Sequence, residues 1–151
     1  YALKEKEGVI QITAFANYVK VNNNRFNSII SLGNKVAKLY GDDNFNPSLH
    51  SNKREYLEGI ENINMKFPMP DIDDFIDHID YVVKLIGIDY VGISSDFGGG
   101  GGISGWIDAS ETKLLTHKLK ERGYSPKEIE KIWGGNILRV WKRVEDIASN
   151  T

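Results

Sequence analysis

Residues 70–102 read PDIDDFIDHIDYVVKLIGIDYVGISSDFGGGGG, and this stretch restricts the fold more than any other. Apolar side chains at Ile72, Phe75, Ile76, Ile79, Val82, Val83 and Ile86 recur at helical spacing and make one face. Pro70 and Asp71 mark the start of that helix, and Asp73, Asp74 and Asp77 stand near the positive end of its dipole. Gly87 is a natural stop. After a two-residue turn, Tyr90 to Ser95 reads as a short strand suited to cover on both faces. Asp96 ends the strand and five glycines follow. In parallel α/β folds, ligands bind outside the carboxyl ends of strands. Asp96 is therefore a candidate catalytic carboxylate, with a helix cap or turn closure as the competing use.

The flanking sequence supplies one more strand and several helices. Tyr1 to Glu7 reads as the end of a helix stopped by Gly8. Val9 to Phe15 reads as a strand, with Asn17 and Tyr18 after its carboxyl end. Phe26, Ile29, Ile30, Val36, Ala37 and Tyr40 are spaced as a helix interrupted by Gly33. Gly41 to Ser48 is a turn-rich linker, and Lys53 to Asn64 a second, weaker helix. Phe67 to Pro70 is extended, because its prolines oppose helix. Beyond the glycines, Asp108 to Glu111 and Ser125 to Glu128 both match a capping box. They open helices carrying Leu114, Leu115 and Leu119, then Ile129, Ile132 and Trp133. Gly134 and Gly135 are expected to break the latter, with Asn136 opening a last helix. Two parallel strands make no covered sheet of their own, so this order looks like the tail of a larger α/β protein.

Composition excludes several classes of function. The 151 residues amount to one domain's worth of chain, 40% hydrophobic and 26% charged, as in ordinary globular proteins. A net charge of −2 gives a nucleic acid no electrostatic footing. Without cysteine there is no disulfide framework and no thiolate metal site. No apolar run approaches the ~18 residues of a membrane helix, and no signal-peptide pattern is visible. The chain begins with Tyr1, so it is expected to be processed, trimmed or cut from something longer.

The motifs for other chemistries are incomplete. His50, His78 and His117 form no paired metal motif. His50 and His117 read as surface residues, and His78 as a packing or hydrogen-bonding one. Gly100, Gly102 and Gly105 satisfy G-x-G-x-x-G, but no lysine and no following strand with an acid accompany them. A flexible loop lining a substrate, with Gly99 as a candidate substrate contact, is the better reading. Ser94 and Ser95 lack the surroundings of a nucleophile elbow. Trp106, Trp133 and Trp141 read as core or lid aromatics.

From about Gly8 to Asp146 the chain resembles the carboxyl-terminal part of the membrane (renal) dipeptidase family of zinc peptidases. Four stretches carry the resemblance in order: EGVIQITAF (7–15), DHIDYVVKLIGIDYVGISSDF (77–97), GWIDASE (105–111) and RGYSPKEIEKIWGGNILRV (122–140). It implies a TIM-type (β/α)8 barrel of which this chain supplies the last two strand–helix units and a helical tail. One partial domain over 1–151 follows, with a helical insertion at 20–70 and carboxyl-terminal helices at 103–151. It further implies zinc-dependent hydrolysis of dipeptides at a site with two zinc ions. Asp96 matches the aspartate that ends the last barrel strand, and Phe15, Asn17 and Tyr18 are expected as neighbours of the substrate. Many relatives carry a second acid where this chain has Gly98. The family's metal ligands match nothing here and are expected upstream, so no metal ligand is assigned and the chain alone is expected to be inactive. The alternative is a non-catalytic remnant that oligomerises or binds a partner. Self-association is the expected route for such a module, because the strand edges are orphaned.

Overall fold

The computed structural model describes residues 1–149; the last two positions of the tail read over 103–151 lie outside them. In chain order the elements are α1 (Ala2–Glu5), β1 (Ile10–Thr13), α2 (Ala16–Val19), α3 (Asn23–Leu39), α4 (Pro47–His50) and α5 (Arg54–Lys66). They continue with α6 (Ile72–Ile86), β2 (Val91–Ser94), α7 (Thr112–Glu121), α8 (Pro126–Glu130) and α9 (Asn136–Ser149). The chain divides into two compact units, Tyr1–Lys20 with everything from Pro70 onward, and Val21–Met69. The architecture is mixed α/β.

In the first unit β1 and β2 pair in parallel, Ile10 opposite Val91 and Thr13 opposite Ser94. Side chains alternate along a strand, so Ile12, Ala14, Val91 and Ile93 face one way and join the hydrophobic core. Gln11 and Thr13, paired with Gly92 and Ser94, share the other face, which is small and polar. The Gln11 side chain lies over Gly92, where a Cβ would collide with it. α6 supplies most of the core. Asp71 accepts from Asp74 N at 2.9 Å and Asp74 accepts from Asp71 N at 3.3 Å, a capping box that fixes its first turn. Ile72, Phe75, Ile76 and Ile79 are buried against the sheet, α7 and the loop after β2. Each contributes about 2 kcal/mol relative to the exposed side chain. On the opposite side of α6, Asp73, Asp77 and Asp80 converge on Arg122 at 2.7–3.1 Å, and Tyr124 donates to Asp80 at 2.6 Å. Those acids therefore tie α6 to the turn between α7 and α8, and Asp73, in its first turn, also complements its dipole.

Several local expectations are corrected. Gly134 and Gly135 do not break the helix. α8 runs through one turn of π-helix, Lys131–Gly135, into α9. Asn136 begins α9 as a continuation and not as a fresh start: its side-chain amide is buried and donates to Ile88 O and Val91 O, both at 2.7 Å. Asp108 to Glu111 forms no capping box. Asp108 accepts from Ser110 N, Glu111 accepts from Ile107 N, and a 3-10 turn leads into α7. The Ser125 and Glu128 box does form. Trp141 is not in the core but 62% exposed, whereas Trp106 is fully in the core.

In the second unit α3 packs against α5. Gly33 does not interrupt α3; it is buried within it, and a Cβ there would sit 3.1 Å from the Phe45 ring. The linker after Gly41 contains α4. His50, expected at the surface, is 1% exposed beside Phe45 and Tyr40. Its Nδ1 accepts from Asn46 N at 2.9 Å, so Nε2 carries the proton and donates to Asp42 at 2.8 Å. An apolar site tolerates this ring because both nitrogens are paired.

Candidate active site

The carboxyl ends of β1 and β2 meet at Ala14, which is fully buried. Ala14 N donates to Ser94 O at 2.8 Å, and Ala14 O accepts from Gly102 N at 2.7 Å. Residues 95–101 are thus an excursion whose two ends hang from one residue. Asp96 is its second member and one of two non-glycine residues with positive φ, at +55°, among those described. Its carbonyl accepts from Gly99 N and Gly101 N, both at 3.0 Å. Phe97 turns the other way. Its ring meets Trp106 edge-on at 5.4 Å, and its N–H donates to Ser95 Oγ at 3.3 Å. Trp106 is held in turn by Phe75 and Trp133 and donates to Thr112 Oγ1 at 3.2 Å. The loop is therefore anchored in the core on one side of Asp96 and closed by glycine amides on the other.

The residues singled out in the sequence are brought together in part. Phe15, just past β1, bridges to Gly102, and a Cβ on Gly100 would touch its ring at 3.4 Å. Tyr18 packs against Phe15 with the rings tilted and their centroids 4.7 Å apart, and is largely exposed. Gly99 lies under the Asp96 carboxylate, where a Cβ would stand 2.6 Å from Oδ1. Asn17 is half-buried on α2. His78 Nε2 donates to Val19 O at 2.9 Å, closing α2 against α6 beside a cavity of about 190 Å³ lined by Gln11, Thr13 and Tyr18. At the same end Lys20 pairs with Asp74 at 2.8 Å, and this bond holds the Asp74 carboxyl below the ordinary carboxylate range. The sequence reading gives no site role to Ala14 or Phe97. The only signal for them is the register of β1 on β2, which no local pattern encodes.

Chemically, the site offers one carboxylate on a fixed loop, a flanking aromatic pair, and backbone left bare by glycine. It does not offer a metal centre. Among the described residues no three His, Cys, Asp or Glu side chains stand together as an ion-binding set. The donors present therefore do not fit a zinc site.

Comparison with known proteins places this geometry. The sequence profile of the membrane dipeptidase family (peptidase family M19) matches residues 1–151. A dipeptidase of Aspergillus terreus, ataJ, is 50% identical over 74 residues, which are 48% of this chain and 18% of that protein. A dipeptidase of Claviceps purpurea, tcpJ, is 35% identical over 80 residues, 52% of this chain and 19% of that protein. The crystal structure of the probable dipeptidase PvdM from Pseudomonas aeruginosa superposes with a TM-score of 0.63 at 35% identity, covering 92% of this chain and 38% of that one. The chain thus spans well under half the length of the relatives it matches. Since the family profile runs from the first residue to the last, the chain belongs to the membrane dipeptidase family.

Proposed function

We propose that these residues are the carboxyl-terminal part of a (β/α)8 barrel that hydrolyses dipeptides, with Asp96 as its catalytic carboxylate. The placement of Asp96 carries the reading: an acid at the carboxyl end of β2, on a loop beside Phe15, in a chain of a dipeptidase family. Peptide hydrolysis adds water across a C–N bond. The water loses a proton as the C–O bond forms, and the leaving nitrogen gains one as C–N breaks. An Asp96 oxygen accepts the first proton and returns it to the nitrogen, ending ionised as it began. The same carboxylate suits the free ammonium group of a dipeptide. Phe15, Asn17 and Tyr18 flank the substrate, and Gly99 lets its backbone come close.

Zinc is the cofactor that the family resemblance implies; held by residues outside those described, it would supply a Lewis acid and a more acidic water. Ligands for two such ions would come from parts of the relatives outside the shared stretch. The domain division follows the same reading: a partial barrel with 20–70 inserted and 103–151 as its closing helices. Self-association is the partner reading. α9 turns Leu138, Trp141, Val144 and Ile147 to solvent, while Arg139 and Arg143 reach back to Glu7. An apolar stripe facing away from its own core calls for cover. A non-catalytic remnant is not favoured, because the family profile runs through the whole chain.

The test has two arms. The 151 residues alone, supplied with zinc, are expected to leave dipeptides intact; zinc-dependent turnover by them would overturn the placement of the ligands elsewhere. In the gene product that carries this segment, Asp96→Asn is expected to lower kcat about 100-fold or more, and activity within about threefold of wild type would remove Asp96 from the chemistry.

A further inference from the structure

We propose that Gly101 and Gly99 are positioning residues that together aim the Asp96 carboxylate, Gly101 through the backbone and Gly99 through the space it leaves. The catalytic meaning of this rests on the reading of Asp96 above. The left-handed region is uncommon for any residue with a Cβ, though aspartate tolerates it better than most. Asp96 is held there at +55° because its carbonyl accepts two amide donors at once, Gly99 N and Gly101 N at 3.0 Å. The excursion cannot relax by sliding, since Ser94 and Gly102 are both bonded to the buried Ala14.

The two glycines are required for different reasons. A Cβ on Gly101 would overlap Ser95 O and lie 2.6 Å from Asp96 Cβ and 2.7 Å from Asp96 O. Those atoms are backbone, or the Cβ from which the carboxylate is aimed, so any side chain at 101 pushes Asp96 out of its conformation. A Cβ on Gly99 would instead meet Asp96 Oδ1 at 2.6 Å and Cγ at 3.2 Å, which is the carboxylate itself. The end of a side chain can swing aside, so substitution at 99 redirects the carboxylate and leaves the loop standing. Strain held by surrounding contacts at a reactive residue is a known form of pre-organisation, and a misplacement of about 1 Å can cost about 100-fold in rate.

Carbon-13 NMR of this protein separates the two roles, because Cα and Cβ shifts report φ and ψ, and the carboxyl carbon reports its own surroundings. Gly101→Ala is expected to move Asp96 Cα and Cβ out of the left-handed pattern. Gly99→Ala is expected to keep that pattern and move only the carboxyl carbon. Asp96 resonances unchanged in both variants would overturn the proposal. Should Gly101→Ala fail to fold, melting of Asp96 variants decides the backbone half. Asp96→Gly is expected to melt above wild type and Asp96→Val several degrees below it; equal melting temperatures would sink the claim that Asp96 is held left-handed. In the gene product, Gly101→Ala is expected to lower kcat about tenfold or more with KM within about threefold. If Asp96→Asn there keeps full activity, the catalytic reading fails while the resonances still decide the positioning. If Asp96→Asn is inactive and Gly101→Ala keeps its kcat, the positioning proposal fails alone.

Discussion

One buried amide holds the amino end of β2. Asn136 Nδ2 serves the carbonyls of Ile88 and Val91, and Arg139, one helical turn on, donates to the carbonyls of Glu7, Gly8 and Asp89. The strand that carries Asp96 at one end is thus tied at the other by side chains of α9. Asn136→Ala would strand two carbonyls without a donor and is expected to cost about 2–3 kcal/mol, read as a lower urea midpoint. Asn136→Asp keeps the shape but only accepts, so it is expected to cost at least as much. A midpoint unchanged in both would mean that water replaces the amide. Nothing in the sequence marks this role. Asparagine after two glycines reads as a helix opener because that is its commonest local use.

Glycine in a helix has two opposite uses here. Gly134 sits in the π-turn between α8 and α9, and a Cβ there would meet nothing within 4 Å. Gly134→Ala is expected to stabilise by about 0.5–1 kcal/mol, since alanine loses less backbone freedom on folding. Gly33 in α3 stands against Phe45, where a Cβ would come within 3.1 Å, so Gly33→Ala must push the ring and is expected to destabilise. Thermal melts of the pair should shift in opposite directions; shifts of the same sign would contradict the contacts. Propensity alone assigns both glycines as breaks. The difference lies in what packs against them, which is tertiary information. α6 and the Ser125 cap were legible because their periodicity and hydrogen bonds are local.

The first unit is laced by carboxylates whose charge the fold favours. Arg122 first, then Lys118, depress the Asp73 carboxyl; Lys20 does so for Asp74, and the Ser125 hydroxyl and amide for Glu128. A carboxylate with a lowered folded pKa contributes stability that is complete above its unfolded pKa and is lost as pH falls through the folded value. Melting temperature is therefore expected to hold from neutrality down to about pH 4, the ordinary carboxylate range, and to drop below it. Asp73→Asn should flatten that drop, and an identical acid profile in the variant would show that these pairs are not its cause. Because the pairs are exposed, each contributes little, and less in high salt. The apolar stripe of α9 makes a separate prediction: the protein sediments larger than a monomer, and Trp141→Glu reduces its size. A monomer before substitution would refute self-association through that face.

Periodicity and capping let the residues declare the long helices, the two strands and an acid at a strand end, because each depends on neighbours within a few positions. Four matched stretches in order declared the family. The assembled chain alone decided that Ala14 carries both ends of the Asp96 loop and that Gly101 must be bare. It also buried His50, passed the helix through Gly134 and Gly135, and turned the apolar side of α9 outward. Each of these is fixed by contact between residues distant in sequence, where packing and the need to pair every buried polar group override local preference.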